Sequence, residues 1–299
     1  MTEYRQAQVA TGPQFAPFKG HKRRIAVLPF ENRADKGGEK LGERVADMLV
    51  TQLLKSDRFS MMERQEIENI LGEQAFGQSG AITDETALEA GQMLGVEALV
   101  IGTITEFDQK SGSESIGSDE KKWRFTLQAT VATANIAFRL INTSTGEILF
   151  ADHAQQSEIR PGFGIKTEEY DFNDLFQIDQ TLIGTALRGA VNKIAVSIAD
   201  RCTAIRWKGK IIRVAADFIY FTPGKNAGVA LNEVFAVFHP ANASEYDEEN
   251  ASNDDRFETH QVAKIKVVSF IGEKVCKAIL LEGEDIEVGD IVEEIKSSD

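Results

Sequence analysis

The chain has 299 residues and a formal net charge of −14, with 47 acidic and 33 basic residues. This length fits one large domain or two ordinary ones, and a hydrophobic content of 42% is enough to bury a core. The negative charge argues against a general nucleic-acid surface, because phosphate binding requires a concentrated basic patch. The one basic cluster, KGHKRR at residues 19–24, is short and precedes the first predicted strand, so we expect a solvated arm.

The two cysteines also limit the possible chemistry. Cys202 and Cys276 form no Cys-x-x-Cys pair, which excludes zinc and redox motifs of that kind. Two buried thiols are the expected state, although a single disulfide fits the count as well. No apolar run of about 18 residues is present, so no transmembrane helix is predicted. The N terminus lacks the pattern of a secretory signal, which indicates either a cytoplasmic chain or numbering that begins after a processed segment.

In chain order, residues 1–22 are predicted to form a flexible arm, and strand and helix patterns then alternate up to about residue 201. Apolar or β-branched runs predict strands at residues 25–30, 58–63, 96–107, 123–140 and 147–152. Apolar residues at helical spacing predict helices at residues 41–53, 63–73, 84–95 and 175–201. The polar tract at residues 108–122 is expected to be a loop or hairpin tip. This order predicts an α/β fold of the α+β sandwich type, in which helices pack on a mixed sheet.

After Trp207 the pattern changes to short strands separated by turns, with no helical stripe. Examples are GKIIRVAADFIYFTPG at residues 209–224 and IEVGDIVEEI at residues 286–295. A small all-β barrel of about 90 residues is the natural solution, since closure removes exposed strand edges. We therefore predict three parts: the arm at 1–22, an α/β domain at 23–205 and a β-barrel domain at 206–299.

No arrangement of residues in the sequence indicates catalysis. The chain has no Gly-rich phosphate or dinucleotide loop and no Gly-x-Ser-x-Gly nucleophile elbow. The four histidines occur singly, and the acidic run at residues 245–258 does not fit the spacing of a calcium loop. We predict a non-enzymatic protein that uses no cofactor or metal.

A polar triplet, Glu63-Arg64-Gln65, follows the second predicted strand and begins the second predicted helix. A solvated first turn would explain it, because an acidic side chain is favourable at a helix N terminus. Yet it occurs in order with RIAVLPFEN, GVEALVIGTITEF and FRLINTSTGEIL. Together these stretches resemble the curli production assembly/transport (CsgG-type) family over about residues 24–200. The resemblance implies that the fold fixes the motif, at a subunit contact, through Glu63, Arg64, Gln65 and Asn69.

Members of that family with known roles form outer-membrane rings that export amyloid subunits, and each subunit gives two β-hairpins to a shared barrel. The corresponding alternating residues here are Trp123, Phe125, Leu127, Val131, Ile159, Phe163 and Ile165. Charged tracts lie close to these faces, and a soluble amphipathic hairpin fits the alternation equally well. The loop at residues 31–44 is shorter than the family's constriction loop and has no aromatic residue, so no constriction residue is transferred.

Two hypotheses follow from the resemblance. The first is a ring-forming assembly or secretion component of the cell envelope, in the periplasm or at the outer membrane, with copies of itself and other proteins as partners. The second is a soluble oligomeric scaffold or adaptor, cytoplasmic if no signal precedes the chain, that kept the fold and lost the pore. Through FIYFTPGKNAGVALNEVFAVFHP and IEVGDIVEEI, the region at residues 208–295 also resembles the C-terminal barrel of flagellar assembly protein T, which again favours envelope assembly over catalysis.

Overall fold

The computed structural model describes residues 12–38, 40–62, 95–118, 123–162, 181–215, 217–239 and 261–295. The chain divides into two compact units. The first, which we call the sheet unit, consists of Met1–Phe18 and Arg24–Ile205. The second, the barrel unit, consists of Lys19–Arg23 and Arg206–Asp299. The predicted fold class, a mixed sheet with helices followed by a small all-β barrel, is confirmed.

The sheet unit is built on one mixed sheet with strand order β3-β1-β4-β5-β6, in which β2 also pairs with β4. Its strands are β1 (Arg23–Val27), β2 (Glu31–Asn32), β3 (Phe59–Met61), β4 (Ala98–Ser118), β5 (Trp123–Asn142) and β6 (Ile148–Gly162). Strands β1 and β2 run parallel to β4. Strands β4, β5 and β6 form an antiparallel meander.

Two described helices, α1 (Leu41–Lys55) and α2 (Leu182–Asp200), share one hydrophobic core with this sheet. The predicted stripe of α1 is buried at Leu41, Val45, Leu49 and Leu53. Thr181 caps the N terminus of α2, because its hydroxyl accepts a hydrogen bond from the Gly184 N–H at 3.1 Å. By length and composition α2 could cross a membrane, but its buried residues pack into this core, as expected for a core helix.

Helix α1 approaches the main chain that follows β1 very closely. The Phe30 N–H donates a hydrogen bond to the Gly42 carbonyl at 3.2 Å. A Cβ atom added at Gly42 would lie 1.7 Å from the Phe30 carbonyl oxygen. Only glycine therefore allows the first turn of α1 to pack at this distance.

The barrel unit contains a closed six-stranded barrel of order β10-β11-β8-β7-β12-β9. Its strands are β7 (Lys208–Ala215), β8 (Phe218–Thr222), β9 (Val234–Phe238), β10 (Gln261–Ile271), β11 (Val275–Gly283) and β12 (Ile291–Glu294). Its interior is a separate hydrophobic cluster whose largest members are Trp207, Phe221 and Phe235. Within the described residues each barrel strand pairs with a neighbour on both sides, as the sequence pattern predicted.

Several expectations from the sequence are wrong. The polar tract expected to be a loop or hairpin tip instead continues β4 as far as Ser118, which pairs with Trp123. Strand β6, expected to end at residue 152, continues to Gly162. Main-chain hydrogen bonds to β5 support both extensions. Such bonds form whether the side chains are polar or apolar, so the side-chain pattern did not predict them. The predicted helices at residues 63–73 and 84–94 lie outside the described residues.

The expectation of a solvated basic arm is also wrong for part of the KGHKRR cluster. His21 and Arg23 are buried within the barrel unit. Burial is possible because Glu294 of β12 and Glu233, just before β9, supply the compensating negative charge.

Candidate assembly surface

The antiparallel part of the sheet extends beyond its hydrophobic core. We define the distal sheet as residues 108–112 of β4, 129–133 of β5 and 157–161 of β6, which pair in five consecutive rows. Of these residues only Ala132 is buried. The β4–β5 pairing then continues to the row formed by Ser118 and Trp123. The distal sheet is therefore a largely solvent-facing β surface.

An apolar pair lies in the middle of the distal sheet. Val131 and Ile159 are direct partners across β5 and β6, and Lys110 is the partner of Val131 on β4. Directly opposite residues in an antiparallel pair point to the same face. Val131 is 37% exposed and Ile159 is 66% exposed. This face therefore offers two adjacent aliphatic side chains beside a lysine.

Strand β6 is the last strand in the order of the sheet, so its outer edge has no neighbouring strand in the part of the chain that the structure describes. Near the core this strand is tied to α2, because Lys193 Nζ donates to the Gln155 carbonyl at 2.7 Å. Residues 157–161 continue beyond that contact. An exposed edge strand offers main-chain groups for pairing with another chain.

Ionic contacts fix the base of the distal sheet. Asp108 accepts hydrogen bonds from Lys36 Nζ at 2.7 Å and from Lys110 Nζ at 2.9 Å. The bond from Lys36, followed by that from Lys110, lowers the pKa of Asp108 to about 2. This carboxylate is therefore ionised, and paired with two cations, at any physiological pH.

Charged side chains occupy both faces of the distal sheet. Lys110 shares the face of Val131, whereas Glu158 and Arg160 pair with Ala132 and Thr130 on the opposite face. A charge that faces lipid near the bilayer midplane costs about 2–4 kcal/mol. The described rows therefore fit an aqueous or protein environment better than a lipid one.

The structure brings together two of the residues that the sequence singled out, Val131 and Ile159. Trp123, Phe125 and Leu127 lie on β5, where their main chain pairs with Ser118, Ile116 and Glu114. The remaining candidates lie outside the described residues, namely Glu63, Arg64, Gln65, Asn69, Phe163 and Ile165.

Sequence reasoning missed the edge of β6 and the ion pairs of Asp108. The edge depends on the order of strands in the sheet, and the pair with Lys36 joins residues that are 72 positions apart. Neither feature can be recognised from neighbouring residues in the sequence.

Within the described ranges, no group of three or more His, Cys, Asp or Glu side chains is placed to hold a metal ion.

Comparison with known proteins relates the sheet unit to one family. The sequence profile described as "Curli production assembly/transport component CsgG" matches residues 6–210. A Neisseria meningitidis serogroup B protein named as a lipoprotein is 25% identical over 197 residues, which is 60% of this chain and 78% of that protein.

Two solved structures illustrate the structural comparison. A hypothetical protein from Chlamydia trachomatis has 16% identity and a TM-score of 0.38, covering 61% of this chain and 99% of its own. A Neisseria meningitidis lipoprotein has 17% identity and a TM-score of 0.32, covering 58% of this chain and 98% of its own.

Proposed function

Because the chain belongs to the family of the curli production assembly/transport component CsgG, we propose that it is a non-enzymatic component of the cell envelope that assembles with copies of itself into a ring. The family's description as an assembly and transport component supports this role. The Neisseria relative that is named as a lipoprotein supports the envelope as its location. Protein partners in an envelope assembly fit the acidic net charge better than nucleic acid does.

The observation that carries the proposal is the distal sheet, with its exposed Val131–Ile159 pair and a β6 edge that no described strand covers. A contact between this edge and a different surface of the next copy is heterologous, and a heterologous contact closes into a ring when its rotation is suitable. Main-chain pairing would supply affinity, and the aliphatic pair would be buried at the centre of the contact. The charged residues around the pair would form a polar rim.

Replacing Ile159 with lysine is expected to dissociate the assembly. The variant would bury an unpaired charge at the contact, which costs at least about 2 kcal/mol and weakens association about 30-fold per interface. Mass measurement by multi-angle light scattering across a dilution series checks this result.

The matched control is Val288→Lys, because Val288 is also 66% exposed but lies in the barrel unit. This control should keep the wild-type mass. A wild-type chain that is monomeric in both aqueous buffer and detergent would sink the proposal, as would an Ile159→Lys variant with the wild-type mass.

A soluble oligomeric scaffold or adaptor without a pore is the second candidate. The charges on both faces of the distal sheet favour it. The length of β4 favours the membrane hairpin instead, since the eleven residues from 108 to 118 span roughly 37 Å and exceed the ~30 Å of a hydrocarbon core. Release from cells without detergent, and no conductance in planar bilayers, would support the scaffold. Ion-conducting pores would support the export channel.

A further inference from the structure

A short segment from the start of the chain lies on the C-terminal barrel. We call residues Lys19–Arg23 the strap, and they belong to the barrel unit. The Lys22 N–H donates a hydrogen bond to the Ala227 carbonyl at 2.8 Å. Gly228 has a φ of +91°, and a Cβ atom there would lie 2.9 Å from the Gly20 carbonyl oxygen. The absence of a side chain at Gly228 therefore allows the strap to lie against this turn.

His21 of the strap lies between two carboxylates of the barrel unit. Its Nε2 is 2.9 Å from Glu233 Oε1, and its Nδ1 is 2.5 Å from Glu294 Oε1. An imidazole that contacts an ionised carboxylate through each nitrogen must donate from both, so it is the charged imidazolium. Burial by itself lowers the pKa of His21, but the hydrogen bonds and charges of Glu233 and Glu294 raise it to about 9.

Arg23 contacts the same side of the barrel unit. Its Nη1 donates to Glu294 Oε1 at 2.9 Å, and its Nη2 donates to Glu294 Oε2 at 3.3 Å. This two-point pairing selects a guanidinium over an ammonium group. Nη1 also donates to the His21 carbonyl at 2.9 Å, which fixes the strap's own conformation. Glu294 therefore recognises both His21 and Arg23.

Aromatic rings form the wall beside the imidazolium. The ring of His21 lies 4.9 Å from that of Trp207 and 5.5 Å from that of Phe235. Contact with an aromatic ring favours a cation. The buried Trp207 Nε1–H has no acceptor in the described part of the chain. The site thus contains a hydrogen-bond donor that the strap leaves unused.

These contacts could simply hold the barrel together, but two observations favour a binding site. The strap contributes no apolar side chain to the hydrophobic cluster of the barrel, and its ring contacts with Trp207 and Phe235 are made by His21, a polar side chain. The side chains of Glu233 and Glu294 remain 30% and 36% exposed, so water reaches the carboxylates. A structural ion pair in a core would be sealed more completely.

We propose that the barrel carries a recognition site for a cationic peptide segment with His and Arg two residues apart, and that the strap fills this site in cis. The site consists of Glu233, Glu294, Trp207, Phe235 and the Ala227 carbonyl. A partner protein with a segment of this class binds by displacing the strap. A covalently tethered ligand has an effective concentration in the millimolar range, so the strap keeps the site closed to weak competitors.

The test uses the full chain and a fluorescent peptide with the sequence of residues 17–26, PFKGHKRRIA. A His21→Ser/Arg23→Ser variant empties the site, and fluorescence anisotropy should show that it binds the peptide at least about 10-fold more tightly than wild type does. Adding Glu233→Gln and Glu294→Gln should abolish this binding.

Two controls separate recognition from general attraction to an acidic protein. Glu282→Gln removes an exposed barrel carboxylate that pairs with Lys264 at 2.8 Å, and it should leave peptide binding unchanged. A peptide with lysine in place of the residues at positions 21 and 23 carries at least as much positive charge, but it should bind at least about 10-fold more weakly because it lacks the planar donors.

Three results would overturn the proposal. The first is equal peptide affinity in the wild-type chain and in the His21→Ser/Arg23→Ser variant. The second is that this variant binds the lysine peptide as tightly as the native peptide. The third is loss of cooperative barrel unfolding in this variant, monitored by Trp207 fluorescence in a Trp123→Phe background. The last result would make the strap a structural part of the barrel. Because no readout here depends on oligomer mass, failure of this proposal is distinguishable from failure of the proposed ring.

Discussion

Replacing Gly42 with alanine is expected to lower the free energy of unfolding of the sheet unit by at least about 3 kcal/mol. The added Cβ would lie 1.7 Å from the carbonyl oxygen of Phe30 and 2.8 Å from its carbonyl carbon. Both are main-chain atoms, so no side-chain rotation relieves the clash. Helix α1 must move away from the strand connection, which disturbs the core around Leu41 and Val45. Thermal unfolding should show a decrease in Tm of roughly 6–12 °C.

Gly112→Ala is the matched control for this variant. Gly112 lies in the exposed part of β4, and a Cβ atom there would meet nothing within 4 Å. Its Tm should stay within about 2 °C of the wild-type value. A Gly42→Ala protein as stable as the Gly112→Ala protein would show that α1 does not pack as described.

The stability of the barrel unit is expected to fall by about 3 kcal/mol as the pH rises from 6.5 to above 9, through His21 alone. The pKa of His21 is raised from its ordinary value of 6.5 to about 9, so folding favours the protonated ring. Its contribution is therefore complete below pH 6.5 and is lost as the pH passes through about 9. Denaturant titrations followed by Trp207 fluorescence in a Trp123→Phe background measure this slope.

The two carboxylates act in the opposite direction. Burial raises the pKa of Glu233 and Glu294, but hydrogen bonds from His21, and for Glu294 the charge of Arg23, lower it below 4.5 overall. Their stabilisation is present above pH 4.5 and is lost as the pH falls. The cluster should therefore stabilise the barrel unit most strongly between pH 4.5 and 6.5.

Two comparisons isolate the contribution of His21. His21→Gln should remove most of the slope between pH 6.5 and 8.5. His239→Gln should retain it, although hydrogen bonding to Asp290 also raises the pKa of the more exposed His239. Cys276, whose thiol pKa is raised to about 12 by burial, affects stability only above its ordinary value of 9. An unchanged slope in His21→Gln would contradict the ion pairs described for the strap.

Local periodicity predicted much of this fold. The stripe from Leu41 to Leu53 predicted α1, and the short strands after Trp207 predicted the barrel, because these elements bury one face in a regular pattern. The ends of β4 and β6 were mispredicted because their outer residues form strands through main-chain pairing with β5, which a search for apolar periodicity does not detect.

The candidate site was predictable only in part. Val131 and Ile159 were identified from alternation, but their position opposite each other depends on the register of β5 and β6. The strap was mispredicted because its charges are compensated by Glu233 and Glu294, which lie in the other stretch of the barrel unit and are far away in the sequence. Composition and local spacing contain no information about such pairs.

The barrel unit takes its strap from the beginning of the chain and Glu294 from almost its end, which affects the order of events during translation. At ~5–20 residues per second, the nascent cationic segment leaves the ribosome tens of seconds before β12 exists. Throughout that interval His21 and Arg23 lack the Glu294 carboxylate that compensates their charge in the folded barrel.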